Sequence, residues 1–322
     1  MMNRPDKLDL MLFGVVASQF ESIVRENFPN SSLYLGSRRG FSEDECARIR
    51  ALIGWKFPPG IFEKMPNLEW IQSVGVGVED WIFDPMLPQS VVVSSPKGVY
   101  AEPVSEYVIW SLLTLFRRFH TAIKNQRRRR WVPFSGESLS GKTLGVAGLG
   151  HIGNAVARKA ASLQMSVVGI VRETDSTAPE HYIDQFISYT DLGEVLGELD
   201  ALVVCLPLTN ETHGMFSKEV FQNMKRGAVV VNVAREGVAD YSGLRDAVRS
   251  GHLAGAALDV FDKEPMRPWN PLWSTEGILI TPHISAFTED YKATVANVIS
   301  ENIDRFLKQQ PLLGLVDRVK GY

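Results

Sequence analysis

Three polar residues in this sequence have types and positions suited to catalysis. His283 lies in ILITPHISA, Glu264 in LDVFDKEP, and Arg235 directly after AVVVNVA. Each follows an apolar run that reads as a strand. Reducing a ketone leaves an alkoxide that needs a proton, and an imidazole supplies one near neutral pH. A carboxylate beside the imidazole favours its protonated form. An arginine can hold a substrate carboxylate through two parallel hydrogen bonds and polarise the neighbouring carbonyl. Taken singly, each residue has a plainer reading. A histidine after a strand is often structural, and a lone Glu or Arg is usually a solvated charge. No metal-ligand spacing stands out among the six histidines.

A reduction needs an electron source, and the segment 143–172, TLGVAGLGHIGNAVARKAASLQMSVVGIVR, points to one. It reads as strand, glycine-rich turn, helix and second strand. Gly148, Gly150 and Gly153 have the G-x-G-x-x-G spacing of a dinucleotide site. The first glycine allows the tight turn, the second lets backbone approach a pyrophosphate, and the third lets helix and strand pack closely. The helix start then offers free N–H groups and a positive dipole end to the phosphates. The spacing alone is weak, but the context is right. Leu144 to Ala147 form an apolar strand, and Ile152, Val156, Ala160 and Leu163 follow at helical spacing.

Such sites usually place an acid about 20 residues on, where it binds the ribose hydroxyls of NAD. Here that slot falls at or beside Val171, and Arg172 follows. An arginine can attract a 2′-phosphate that a carboxylate would repel, so NADP(H) is favoured. NAD(H) stays open, because Glu173 could reach the ribose after a one-residue shift and Arg172 could be a plain exposed charge. Thr174 or Ser176 could add a hydroxyl to a phosphate pocket.

The elements that must position these residues fall into two α/β patterns. In the first hundred residues, strands are expected at 9–16, 52–55, 68–72 and 91–94, with a helix at 19–27. A Ser42-x-x-Glu45 capping box opens a short helix to Arg50. A long helix, Glu102 to Ala122, carries Val104, Val108, Leu112, Leu115 and Phe119 on one stripe and could bridge domains. Strands are then expected at 144–148, 166–171, 201–206, 228–232, 254–258 and 278–280. Together they make a doubly wound parallel sheet whose ligand crevice lies beyond the strands' carboxyl ends. A last helix, about 288–309, would return to cover the first domain. The expected fold is α/β with two Rossmann-like domains. The nucleotide-binding domain (100–286) is inserted in a split, flavodoxin-like substrate domain (1–99 and 287–322).

The chain has 322 residues, which suits two domains of ordinary size. A formal net charge of -3 gives no global pull toward nucleic acid or membrane. The basic run Arg127 to Arg130 reads as a solvated helix end or a subunit contact. No apolar run approaches the roughly 20 residues of a membrane span, and the N-terminus lacks a signal-peptide layout. Cys46 and Cys205 are the only cysteines, and Cys205 is expected to be buried in its strand. A reducing cytoplasm fits this usage.

With these segments in view, the sequence resembles the D-isomer-specific 2-hydroxyacid dehydrogenase family along nearly its whole length. GLGHIG looks like the family's cofactor turn. VNVAREGVAD resembles the segment with its catalytic arginine (here Arg235), ALDVFDKEP the segment with its catalytic glutamate (Glu264), and TPHISAFT the segment with its histidine acid/base (His283). The resemblance implies further roles. Asp259 matches a position that contacts the nicotinamide carboxamide, with a strand-end hydrogen bond as the structural alternative. SVGVGVED is similar to a loop whose backbone N–H groups hold the substrate carboxylate, which points to Val76 and Gly77. Trp55 and Lys56 could line the same pocket, and Trp55, Trp81 and Trp131 could form an aromatic wall or belong to the core. The implied cofactor set is Gly148, Gly150, His151, Ile152, Gly153, Arg172, Leu206, Pro207, Val233, Ala234 and Asp259. The implied substrate set is Val76, Gly77, Arg235 and His283.

The implied reaction is NAD(P)H-dependent reduction of a 2-oxo acid, glyoxylate or hydroxypyruvate by first expectation, with no nucleic-acid or membrane partner. A homodimer is implied through the helix from Glu102. The chain is expected to lack the regulatory domain of many phosphoglycerate dehydrogenases. Glu264 argues against formate dehydrogenases, whose histidine pairs with Gln. A cofactor-sensing corepressor of the same fold is the rival reading. Such proteins can keep all three residues, but the absence of long disordered tails disfavours it. An adenosylhomocysteine hydrolase is more remote, being larger and different at its site segments.

Overall fold

The computed structural model describes residues 7–37, 42–173 and 181–322. Thr174 and Ser176 lie outside the described residues. The chain forms two compact units, 1–99 with 288–322, and 100–287.

The first unit begins with β1 (Asp9–Phe13), α1 (Val15–Asn27), β2 (Ser32–Gly36), the short α2 (Glu43–Cys46), β3 (Ala51–Gly54), β4 (Trp70–Ser73) and β5 (Val92–Ser94). The strand expected over 9–16 therefore stops at Phe13. Gly14, at φ 74°, turns the chain straight into the helix, and its N–H is bonded to Gly36 O at 2.8 Å. Ser42 does precede α2, but its side chain makes no capping bond and the helix is one turn long.

The second unit opens with α3 (Ala101–Phe116) and α4 (Phe119–Arg127). One helix was expected here. It breaks because Arg118 adopts a left-handed conformation, φ 53°, which stops helical hydrogen bonding. Phe119, counted in the apolar stripe, is accordingly exposed, whereas Val104, Val108, Leu112 and Leu115 are buried. There follow β6 (Thr143–Ala147), α5 (His151–Ser162), β7 (Ser166–Val171), β8 (Gln185–Ser188), β9 (Ala201–Val204), α6 (Lys218–Asn223), β10 (Val229–Asn232), α7 (Tyr241–Arg249), β11 (Gly255–Leu258) and β12 (Ile278–Ile280). The chain then returns to the first unit with α8 (Tyr291–Leu307).

Both sheets are parallel throughout. The first unit's order is β2-β1-β3-β4-β5, the flavodoxin-like arrangement. The second unit's is β12-β11-β10-β9-β6-β7-β8, a Rossmann order with one extra strand. Central strands such as ALIG, ALVV and VVVN are buried at every position because both faces are covered. In the first unit, α8 packs on α1. Its Asn302 donates to Gln72 Oε1 at 2.7 Å and to Leu313 O at 3.0 Å, inside the core. In the second unit, α3 packs on α5 and against β10 and β11. Glu102 of α3 pairs there with Arg158 and Lys159 of α5. No helix among the described residues is long and apolar enough to cross a membrane.

Candidate active site

β6 lies between β7 and β9, the point where the strand order reverses direction. Its C-terminal end therefore opens into the crevice of the sheet. The three glycines there do different work. Gly148 has φ +92°, and a Cβ on it would sit 2.9 Å from Leu206 Cδ2 and 3.1 Å from Cys205 O. A Cβ on Gly153 would lie 1.8 Å from Gly148 O, so helix and turn could not close. A Cβ on Gly150 would meet nothing within 4 Å. That glycine faces open space at the start of α5, where His151, Ile152 and Gly153 begin the helix. Unused helix-start N–H groups beside an open backbone fit a pyrophosphate. Asn154, which the sequence reading missed, ties the turn down by donating to Leu149 O at 2.6 Å and Gly150 O at 3.2 Å.

Of the other expected cofactor residues, Leu206, beside Gly148, and Val233 and Ala234, just past β10, are buried, and Pro207 is half-buried. Thr212 holds the loop after β9 by donating to Pro207 O at 2.6 Å. Cys205 lies one residue beyond β9 and keeps some exposure, so the fully buried cysteine is Cys46 instead. Even so, burial pushes the Cys205 thiol up to about 12. Arg172 follows β7 directly. Its Nη2 lies 2.7 Å from Glu211 Oε2, so it is an ion-paired rather than an isolated surface charge.

The histidine and the carboxylate meet. His283 Nδ1 is 2.9 Å from both oxygens of Glu264. A carboxylate only accepts, so Nδ1 carries the hydrogen toward Glu264. Glu264 is itself held, with Oε1 accepting the Phe261 N–H at 3.0 Å. His283 has φ 55°, a left-handed backbone that needs support. Asp259, fully buried, supplies it. Its Oδ1 accepts the Thr281 hydroxyl at 2.5 Å and the Ile284 N–H at 2.9 Å, and its Oδ2 accepts the Ser285 N–H at 2.9 Å. Thr281 has spent its one proton on Asp259, so Tyr107 must donate to Thr281 Oγ1, at 2.7 Å. Burial raises the Tyr107 phenol to about 12, which keeps that donor protonated. The strand-end alternative for Asp259 is thus fully developed: the carboxylate brackets the turn that presents His283.

Arg235 heads the neighbouring loop. Its Nη1 donates to Ala234 O at 2.7 Å, and its own carbonyl accepts from Asn232 Nδ2 at 3.1 Å. Asn232 also reaches Tyr241 Oη at 3.0 Å, and that hydroxyl donates to Val260 O at 3.0 Å. This buried linkage ties the ends of β10 and β11 together, and single-residue motifs could not reveal it. Glu236, next to Arg235, accepts the Asp262 N–H at 2.5 Å, which joins the arginine's loop to the loop of Glu264. Burial, with Asp262 and Glu264 nearby, raises the Glu236 carboxyl above its ordinary range.

In the first unit, Val76 is exposed and Gly77 half-buried, beyond the end of β4. Gly75 is the glycine that packing requires here: a Cβ on it would lie 2.8 Å from Trp55 Nε1. Trp55 O accepts from Trp81 Nε1 at 2.9 Å, and Lys56 Nζ sits 5.0 Å from the centre of the Trp55 ring. Trp81 is core, whereas Trp131 of the second unit is 97% exposed and belongs to neither a wall nor a core.

Comparison with known proteins gives a consistent picture. Residues 109–285 match the family described as D-isomer specific 2-hydroxyacid dehydrogenase, NAD binding domain. A D-3-phosphoglycerate dehydrogenase of Archaeoglobus fulgidus is 33% identical over 80% of this chain, which spans 49% of that protein. A glyoxylate reductase of Thermofilum pendens is 30% identical over 84% of this chain and 81% of its own length. A crystal structure of a D-isomer specific 2-hydroxyacid dehydrogenase from Xanthobacter autotrophicus Py2, in complex with NADPH and MES, superposes with a TM-score of 0.85. It is 30% identical, covering 97% of this chain and 99% of its own.

Proposed function

The chain belongs to the D-isomer-specific 2-hydroxyacid dehydrogenase family, and we propose that it reduces a small 2-oxo acid of the glyoxylate or hydroxypyruvate kind to the D-2-hydroxy acid, with NADPH favoured over NADH. The observation that carries this reading is the His283–Glu264 pair, 2.9 Å from Nδ1 to both carboxylate oxygens, in the Rossmann unit. When bound, the nicotinamide supplies the hydride. The protein's share is to hold and move a proton. His283 Nε2 donates it to the nascent alkoxide while Glu264 stabilises the imidazolium. Arg235 holds the substrate carboxylate and polarises the carbonyl. Val76 and Gly77, on their own unit, offer backbone N–H groups suited to a carboxylate.

Gly148, Gly150 and Gly153 shape the pyrophosphate turn, His151 and Ile152 open its helix, and Leu206, Pro207, Val233 and Ala234 line it. NADPH preference rests on Arg172 standing where an acid would select NAD. The likeness to a glyoxylate reductase and to an NADPH-bound relative supports the substrate and cofactor choices. A homodimer is part of the same reading. Trp110, Leu113, Phe119, Trp131, Val132 and Phe134, on and after α3 and α4, are exposed apolar side chains of the kind a subunit contact would cover. The cytoplasm, where nicotinamide cofactors are supplied, is the compartment we assign.

The test is cofactor oxidation with NADPH and NADH against glyoxylate, hydroxypyruvate, pyruvate and phenylpyruvate. Preferential NADPH turnover with the first two is expected. A protein that binds cofactor and turns over none of the four would instead be a sensor.

A further inference from the structure

The chain just past β7, at Arg172, and the loop after β9 lie on either side of β6, and so on either side of the Gly148–Gly153 turn. One ion pair spans them: Arg172 Nη2 to Glu211 Oε2, 2.7 Å. The two ends are built differently from the tips. Glu211 sits in a turn locked by two threonines. Thr209 N–H donates to Thr212 Oγ1 at 2.9 Å, Thr212 Oγ1 donates to Pro207 O at 2.6 Å, and the Thr212 residue is buried. On the other side, the Arg172 carbonyl accepts from Ser188 Oγ at 3.2 Å. The charged tips remain accessible, with side-chain exposures of 38% for Arg172 and 61% for Glu211. Hydrogen bonds on both sides thus place two solvent-reachable charges face to face across the cofactor turn.

We propose that Glu211 is a built-in competitor for the 2′-phosphate of NADPH, a specificity residue supplied from the strand opposite Arg172. The inference rests on the nicotinamide reading given above. With no phosphate present, the Glu211 carboxylate occupies the arginine. A 2′-phosphate must displace it to reach the arginine. NADH, lacking the phosphate, leaves the pair intact. Glu211 therefore lowers the advantage of NADPH without touching the nicotinamide end. No covalent step is involved, only an exchange of one anionic partner for another on Arg172.

The experiment measures dissociation constants on the apoprotein by tryptophan fluorescence or calorimetry for NADPH, NADH and adenosine 2′,5′-bisphosphate. In Glu211→Gln, NADPH and the bisphosphate should tighten by about three- to fivefold, the size expected on releasing an exposed ion pair. NADH should move by less than about twofold, since it uses neither charge. The gain should shrink as salt rises, because exposed charges are screened. In the Arg172→Ala background the same change should give no gain. Equal tightening of NADPH and NADH, a gain that survives Arg172→Ala, or weaker NADPH binding in Glu211→Gln would each overturn the proposal. The last result would make Glu211 a support for Arg172. Failure of the NADPH preference shows separately, as tighter NADH binding by the unmodified protein, and leaves the Glu211→Gln comparison still decisive. Unmodified protein that binds none of the three ligands overturns both.

Discussion

Replacing Asp259 with Asn tests how the candidate acid/base is held. The buried carboxylate accepts three hydrogen bonds, from Thr281, Ile284 and Ser285. Asparagine keeps one acceptor oxygen and turns the other into a donor. Whichever way the amide is flipped, at least one donor from the 281–285 segment then faces an NH2 group. Losing one hydrogen bond to a charged group costs about 1.5–3 kcal/mol, and weakening the other two adds about 1 kcal/mol. The total, roughly 2.5–4 kcal/mol, corresponds to a fall in unfolding midpoint of about 5–15 °C for a unit of this size. The left-handed His283 turn loses its brackets at the same time. Misplacing a reacting group by about 1 Å costs on the order of 100-fold in rate, and kcat should fall by about that much. Thermal unfolding followed by circular dichroism, with steady-state kinetics on the same samples, reads both effects. An unchanged midpoint and kcat, with only the Michaelis constant for the nicotinamide raised, would refute the reasoning and return Asp259 to a direct cofactor contact.

Two glycines of the turn, Gly153 and Gly150, should separate cleanly. Gly153→Ala places a Cβ against the Gly148 carbonyl and should lower the unfolding midpoint by a few degrees or more, as overpacking costs about 1–3 kcal/mol. Gly150→Ala meets no protein atom, so it should leave the midpoint nearly unchanged while weakening NADPH binding at least about tenfold, because the pyrophosphate needs that space. The reverse order would count against the assignment. Glu236 gives a pH signature. Its carboxyl is raised by burial and by nearby Asp262 and Glu264, so the folded state binds the extra proton and stability falls as pH rises from the ordinary carboxylate range through the raised value. Glu236→Gln keeps an acceptor for the Asp262 N–H and should flatten that decline, stabilising the protein at neutral pH relative to the parent; urea midpoints at acid and neutral pH decide it.

Much of this arrangement was legible in the residues. Interior strands such as ALVV, and VVVN up to its terminal Asn232, are apolar because both sheet faces are covered, and such runs announce themselves. The edge strands β2 and β8 were missed for the complementary reason. SLYLG and QFIS are partly exposed and carry polar residues, so neither periodicity nor hydrophobicity marks them. The break between α3 and α4 depends on a left-handed Arg118, a conformation that no local propensity foretells. The apolar stripe through 104–115 ran on to Phe119 without a warning glycine or proline. At the site, the glycine spacing and the strand-end positions of Arg235, Glu264 and His283 could be read directly. The supports could not. Asn154 under the cofactor turn, the Asp259 bracket and the Asn232–Tyr241 linkage join residues by contacts that only the folded chain defines. The partner of Arg172, Glu211, comes from a different strand end and carries no motif of its own.

The central claim is that His283 is the proton donor of a 2-oxo acid reductase. The most direct test is single-turnover reduction of glyoxylate by His283→Ala, with the dissociation constant for NADPH measured on the same preparation. The account predicts a rate lower by about 100- to 10,000-fold, the range for loss of a general acid, with cofactor affinity within about twofold of the parent. Near-parental turnover in that variant would contradict it.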